Sequence, residues 1–345
     1  MSGETASAPE GYQPDDGDDA GPAEFDAQAP ADGAESEIRH LTAGVVHHGS
    51  RLDKALAEMV PELSRSYLQQ LLSLGLVHCN EVPASKPASK VKAGDRITVE
   101  IRPTEQSQAF KPEAMSLNVV YEDEHLLVIH KPAGLVVHPA PGNWSGTLLN
   151  GLLARDTRAC LVPRAGIVHR LDKDTSGLMV VARDRSTMDA LVRMIAAREV
   201  SRQYLALAWG RWRHGAQRRV DAPIGRDPRN RLRMAVVDLG VNAGKSARTD
   251  IDLLDADAEA SLVRCTLHTG RTHQIRVHMA SLGHPLVADS LYGGAAGAGL
   301  QRQALHAYRL AFVHPVTGAP MDWAAPLPLD MQAAVDFWGL RYNRG

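Results

Sequence analysis

Cysteine is scarce in this chain of 345 residues. Cys79, Cys160 and Cys265 lie far apart and form no CxxC pair. That usage fits a reducing cytosol and supplies no disulfide frame. No run of 18 or more apolar residues occurs, which excludes a membrane-spanning helix. No basic stretch followed by an apolar one opens the chain, so no secretory signal is read and a cytoplasmic protein is expected. Lys and Arg are absent from the first 37 residues, which hold eleven acids and only two aromatics, Tyr12 and Phe25. Such a segment cannot offset its ordering entropy by burial, and residues 1–37 are read as a disordered acidic tail.

Setting the tail aside changes the meaning of the formal net charge of −2. Of the 40 acids 29 then remain against 38 Lys and Arg, a net charge of +9 over residues 38–345. An excess of that sign suits a polyanionic partner, because each cation placed on a phosphate releases a counterion. With 44% hydrophobic residues the chain can build cores, and its length suggests about two domains.

The first domain is placed at residues 38–105. Leu52, Leu56 and Met59 sit at helical spacing and Pro61 stops that helix. Ser64 is read as the N-cap of a second helix with Tyr67, Leu68, Leu71 and Leu72 on one face, ending at Gly75. A strand over 76–80, a Gly94–Asp95 turn and an alternating strand, Ile97–Ile101, complete a small α+β module. The stretch from Arg51 to Val82 and the later KVKAGDRITV resemble the S4 RNA-binding domain. That resemblance implies RNA contacts from Arg51, Lys54 and Arg65, with Lys86 and Lys90 nearby. At Cys79-Asn80-Glu81 the family often has Val-Asn-Gly. Glu81 should make that turn less permissive, since Glu tolerates positive φ poorly.

Residues 102–116 read as a linker, and the second domain is placed at 106–345. Its opening, from Val119 to Pro139, reads as strand, turn, strand, and then a Pro/Gly turn into a third strand. Ser186 is read as the cap of a helix carrying Met188, Leu191, Val192 and Ile195 on one face. Strands dominate beyond it, so the expected class is α+β, with a mixed, largely antiparallel sheet.

The stretch from His169 to Ala182 is the most informative. A polar cluster runs straight into Leu178-Met179-Val180-Val181, so Asp172 lies at the mouth of a buried strand. Arg170 and Lys173 flank it and favour its ionised form. Thr175, Ser176 and Gly177 can supply the turn and hydrogen bonds that fix it. A capped turn without catalytic duty would look alike on these grounds. The DxDxT loop of aspartyl-phosphate phosphatases is set aside, because there an apolar strand precedes the first Asp and here His-Arg-Leu does.

GIVHRLDKDTSGLMVVA resembles the HRLDxxTSG segment of RluA/RluD-type pseudouridine synthases, and four further segments agree in order. VIHKPAGLVVHPAPGN lies upstream, with His130 and Ala140 where Asn and Gly are commoner. REVSRQYLALAWG, HTGRTHQIRVHMASLGHPLVADSLYGG and ALHAYRLAFVHP follow. The resemblance spans about residues 50–335. It implies isomerisation of uridine in RNA: the aspartate attacks or deprotonates the ribose, and uracil detaches, turns and rejoins through C5. It makes Asp172 the initiating carboxylate, Tyr204 the active-site tyrosine and Arg276 the partner of Asp172, expected to hold it through two parallel bonds.

Arg170 is expected to fill the stack vacated by an extruded base, His169 to line the substrate site and Leu305 to exclude water. Tyr204 either stacks on uracil or takes the C5 proton. No cofactor is required, since no redox step occurs. An S4 domain joined to this catalytic domain points to 23S ribosomal RNA or a large-subunit precursor. A monomer with no membrane partner is expected.

Cys265, His268, His273 and His278 suggest zinc, but 265 and 268 should face opposite ways on an alternating strand, and no metal is expected. A glycosidase pair, Asp172 with Asp174, is set too close in sequence to straddle a bond. The rival from another class is a catalytically silent S4-containing RNA-binding or ribosome-assembly protein. Whether uridine in RNA becomes pseudouridine separates the two.

Overall fold

The computed structural model describes residues 36–63, 65–101 and 109–342, and within them the side chain of Ser66 is left aside. The tail reading up to residue 35, the Ser64 cap and residues 102–108 of the linker therefore lie outside the described residues, although Glu37, assigned to the tail, begins a strand. The described chain divides into two compact units, one up to Ala109 and one from Phe110 onward.

In the first unit β1 (Glu37–Thr42) precedes α1 (Leu52–Met59) and α2 (Arg65–Ser73), followed by β2 (Val77–Cys79), β3 (Val82–Pro83) and β4 (Arg96–Ile101). The sheet order is β1-β4-β2-β3. Leu52, Ala55 and Leu56 from α1 and Leu68, Leu71 and Leu72 from α2 bury against Val77, Ile97 and Val99. Helical and alternating periodicity thus meet in one small core. Asn80 and Glu81 both take positive φ, 52° and 70°, the backbone of a two-residue hairpin turn matched to strand twist. Glu81 is tolerated there because Asn80 pins the turn. Its amide donates to Asp95 Oδ1 and its carbonyl oxygen accepts from the Arg96 N–H, both at 2.9 Å.

The second unit begins with β5 (Asn118–Glu122), β6 (Leu126–Lys131) and α3 (Leu148–Arg155). Next come β7 (Ser176–Ala182), α4 (Arg185–Ala196), β8 (Ser201–Trp209) and β9 (Gln217–Asp221). A separate hairpin, β10 (Ile224–Asp227) and β11 (Asn230–Val236), leads to β12 (Arg248–Ala256), β13 (Ala260–Leu267) and α5 (Gln274–Ser281). The unit ends with β14 (Leu305–Val313), β15 (Pro320–Ala324) and α6 (Leu329–Phe337). The main sheet runs β5-β6-β7-β14-β8-β13-β12-β9, with β15 on the outer half of β14. All its pairings are antiparallel except the short parallel contact of β14 with β7.

Every residue of β7 is buried, which is why it reads as a continuous apolar run instead of an alternating one. Met179 and Val181 join Leu127 and Ile129 on one face, against Leu148, Leu149 and Leu152 of α3 and Ile275 and Met279 of α5. Leu178 and Val180 join Leu126 and Val128 on the other, against Leu191 and Ile195 of α4. Gly177 adopts φ +122°, and a Cβ there would lie 2.2 Å from the Ala307 carbonyl oxygen, so the β7–β14 approach requires glycine.

Two expectations fail locally. Residues 135–137 form no strand, because the Val136 and Val137 carbonyls accept from the first N–H groups of α3, Leu148 and Leu149. That cap leaves nothing for a ladder. The cap of α4 is Asp184, whose carboxylate accepts from the Thr187 N–H at 2.8 Å, and Ser186 merely donates its hydroxyl to Asp184. A carboxylate at a helix N-terminus gains from the helix dipole as a hydroxyl does not.

Candidate active site

The loop feeding β7 carries Asp172, and its backbone is clamped. Thr175 N–H donates to the Asp172 carbonyl at 3.1 Å, closing a tight turn. The Lys173 carbonyl accepts from Lys131 Nζ at 2.8 Å and from the Gly134 N–H at 2.9 Å. The Asp174 carbonyl accepts from Arg302 Nη1 at 2.9 Å, while Arg302 is itself paired with Asp330. Lys131, at the end of β6, is 1% exposed, and its other two bonds, also 2.8 Å, go to the Pro132 and Leu135 carbonyls. Burial pushes its ammonium down to about 8, while the charges of Asp172 and Asp174 act the other way, so it remains charged at neutral pH. Nothing in the local sequence separates this lysine from a surface one, since its burial depends on residues 42 positions away.

The carboxylate itself is held by α5. Arg276 Nη1 donates to Asp172 Oδ2 at 3.0 Å. The expected two parallel bonds to Asp172 are not formed. The planar edge of the guanidinium, Nε and Nη2, is spent on Asp289, with both bonds at 2.8 Å. Asp289 is 1% exposed, so Arg276 is first a buried ion pair and then, with its remaining edge, the partner of Asp172. These carboxylates hold the guanidinium pKa above its ordinary value despite burial. Its Cζ also lies 5.0 Å from the centre of the Tyr292 ring. The Tyr292 hydroxyl accepts from the Met234 N–H at 3.0 Å and bonds His273 Nδ1 at 2.8 Å. Arg170 and Lys173, expected to serve as cations for Asp172, are exposed and make no ion pair with it among the described residues. Thr175 and Ser176 likewise bind backbone and His306, not the carboxylate.

A cavity of about 280 Å³ opens over Asp172, and His169, Arg170, Asp172, Tyr204, Arg276 and Leu305 all line it. The six catalytic and substrate-binding candidates, separated by up to 136 positions in sequence, are thereby brought to one place. Leu305 is buried and Arg170 is exposed. His169 Nε2 accepts from the Val180 N–H at 3.1 Å, which ties the loop to β7. Burial pushes its pKa down to about 3, so the ring is neutral. Burial also pushes the Tyr204 hydroxyl up to about 12, which keeps it protonated at neutral pH. Arg202, two residues before Tyr204 on the same face of β8, lines the cavity too and was not singled out in the sequence.

The four residues that raised the question of zinc are dispersed. Cys265 is buried in the core, His268 binds Asp250, His273 binds Tyr292, and His278 binds Thr249 and the Ala222 carbonyl. Among the described residues no helix is long and apolar enough to cross a membrane.

In the first unit the five basic candidates are all exposed. Only Arg65 belongs to α2; Arg51 caps α1 and Lys54 lies within it. Fully buried Asp53 organises them, accepting from Arg51 Nε at 3.1 Å, Arg65 Nη2 at 2.8 Å and Gln69 Nε2 at 2.8 Å. The Arg51 bond foremost, with those of Arg65 and Gln69, holds the Asp53 carboxyl well below its ordinary range. Leu52 and Asp53 N–H groups donate to the Ser89 and Pro87 carbonyls, bringing the Lys86–Lys90 loop to the same end of α1. Lys54 faces Glu58 at 3.8 Å.

A clamped carboxylate under a cavity rich in arginine suits chemistry on an anionic substrate such as a nucleotide. Comparison with known proteins narrows this class. Residues 125–281 match the RNA pseudouridylate synthase family and residues 50–97 match the S4 domain. Ribosomal large subunit pseudouridine synthase D of Neisseria meningitidis serogroup B is 48% identical over 316 residues, covering 87% of this chain and 82% of the relative. The protein of the same name from Xanthomonas campestris pv. campestris is 47% identical, covering 86% and 92%. The solved human RNA Pseudouridylate Synthase Domain Containing 4 shares the fold, with a TM-score of 0.52 at 23% identity, covering 65% of this chain and 94% of that one. The chain belongs to the RNA pseudouridylate synthase family, whose members are isomerases that convert uridine in RNA to pseudouridine.

Proposed function

We propose that this protein isomerises uridines of the large-subunit ribosomal RNA, with Asp172 as the group that opens the C1′–N1 bond. The observation that carries the reading is the Asp172 carboxylate, fixed by Arg276 and by a backbone clamp at the floor of a cavity lined by Tyr204 and Leu305. A uridine in structured RNA hides that bond, so it must be extruded, at a cost of roughly a few kcal/mol. Arg170, exposed beside Asp172, is placed to stack in the gap. Burial holds the Tyr204 hydroxyl protonated, which favours stacking on uracil over removal of the C5 proton. Leu305 keeps water from the detached base. The cations around Asp53 hold flanking RNA phosphates, and the names of the relatives support ribosomal RNA of the large subunit as the target.

Asp172→Asn keeps the shape of the side chain and removes its nucleophilic or basic oxygen. It should lower pseudouridine formation by more than about 100-fold while RNA affinity stays unchanged. Mapping pseudouridine in large-subunit RNA from cells with and without the gene identifies the target. Turnover by Asp172→Asn near the wild-type rate would reject the role of Asp172, and an unchanged large-subunit map would reject the target.

A further inference from the structure

Arg202 is 5% exposed, lines the Asp172 cavity, and makes no hydrogen bond or ion pair through its guanidinium among the described residues. Its Nε is sealed from solvent without an acceptor. Gly270 leaves room for it: a Cβ at that position would lie 3.0 Å from Arg202 Nη1. A buried cation without a counter-charge is costly to a fold, and the other buried cations among the described residues avoid the situation. Arg276, equally buried, has two carboxylates, and Lys131 has three carbonyls. Of these three buried cations Arg202 alone is kept short of an acceptor. A ligand able to repay that cost carries a negative charge or an electron-rich oxygen, and it must enter the cavity, whereas exposed Arg170 can meet phosphates at its mouth.

We infer that Arg202 binds a carbonyl oxygen of the extruded uracil and stabilises the base as the anion formed when the C1′–N1 bond breaks. That inference rests on the reading of Asp172 as the group that opens the bond. In the step the electron pair stays on N1 and spreads onto O2 and O4, while Asp172 supplies the electrons that compensate C1′, by attack there or by taking a ribose proton. After the base turns, C5 returns a pair to C1′, the C5 proton leaves and N1 is protonated. No atom is gained or lost. A guanidinium fixed in advance where charge develops acts like an oxyanion-hole donor, and it serves only the transition state and intermediate.

The test compares two RNAs, one with uridine and one with 5-fluorouridine at the target position. Fluorine makes the base more acidic and so a better leaving group, less in need of Arg202. Consumption of the N-linked nucleoside is followed in single turnovers at saturating enzyme, beside binding affinity. Arg202→Gln should slow uridine consumption by about 100-fold, the size expected for a lost donor of this kind. Its deficit with 5-fluorouridine should be several-fold smaller, and affinity should hold. Arg202→Lys, which keeps the charge, should fall between wild type and Arg202→Gln with the same substrate bias. It carries the test if Arg202→Gln does not fold. Equal deficits on both RNAs would mean a structural role and overturn the inference, as would weakened binding with a normal saturating rate, the mark of a phosphate contact. Asp172→Asn run alongside should consume neither nucleoside; if it does, the fault lies with the role of Asp172 and not with Arg202.

Discussion

Replacing Arg276 by lysine separates charge from geometry at the site. Arg276 sends three N–H groups in two directions, two to Asp289 and one to Asp172. A lysine ammonium is a point charge that cannot span both carboxylates as a planar fork does. Asp289 is 1% exposed and cannot be left alone, whereas Asp172, with a side chain 17% exposed, can draw on water. The lysine will therefore settle on Asp289, and Asp172 loses its cation. A hydrogen bond to a charged group is worth about 1.5–3 kcal/mol. At 1.36 kcal/mol per decade, that loss slows the chemical step roughly 10- to 150-fold. Arg276→Ala should lose the same rate and also about 3–5 kcal/mol of stability, the usual result of leaving one partner of a buried pair unpaired. Single-turnover rates at saturating enzyme, RNA affinities and thermal melts of the three proteins measure these effects. Wild-type turnover by Arg276→Lys would refute the reasoning, as would a rate loss in either variant that saturating enzyme restores.

Lys131→Met keeps much of the volume but strands three buried carbonyls, and should cost about 3 kcal/mol or more; a thermal melt close to wild type would contradict the clamp. Asp53→Asn should weaken RNA binding and flatten its salt dependence, because Arg51 and Arg65 lose their anchor. The sign of its pH effect follows from the lowered carboxyl pKa. The stabilisation is complete above the unfolded value of about 4 and is lost as pH falls below it, so acid titrations of the full chain should show a smaller loss in Asp53→Asn than in wild type.

The parts of this molecule that could be read from its sequence depend on neighbours in sequence. α1 and α2 follow from apolar spacing, and β7 from an unbroken apolar run bounded by a turn. Six cavity residues could be named because short motifs mark them, although the resemblance to a known family, not periodicity, chose among them. What stayed hidden was settled by distant partners. β1 is a strand because Glu37 to Thr42 pair with Ile101 to Arg96. Residues 135–137 carry strand-forming side chains, but their carbonyls are claimed by α3. Lys131 and Arg202 look like solvent-facing cations in one dimension, since burial of a charge is decided by which strands flank it. The division of the Arg276 guanidinium between two carboxylates was likewise invisible. One of them, Asp289, is only 13 positions away, yet nothing in that spacing tells which edge meets which acid.

The Asp172 loop is fastened by a lysine, an arginine and a glycine N–H through its backbone, and by a second arginine through its side chain. A loop so held has little freedom to adapt to what approaches it. On the proposed role of Asp172, accommodation should fall to the RNA, and uridines that unstack cheaply should be isomerised faster than the rest. Uridines at loops, bulges and mismatched pairs meet that demand at lower cost than those in continuous helices. Choice of target would then rest on RNA deformability, gauged against a rigid mould, more than on side chains reading a sequence.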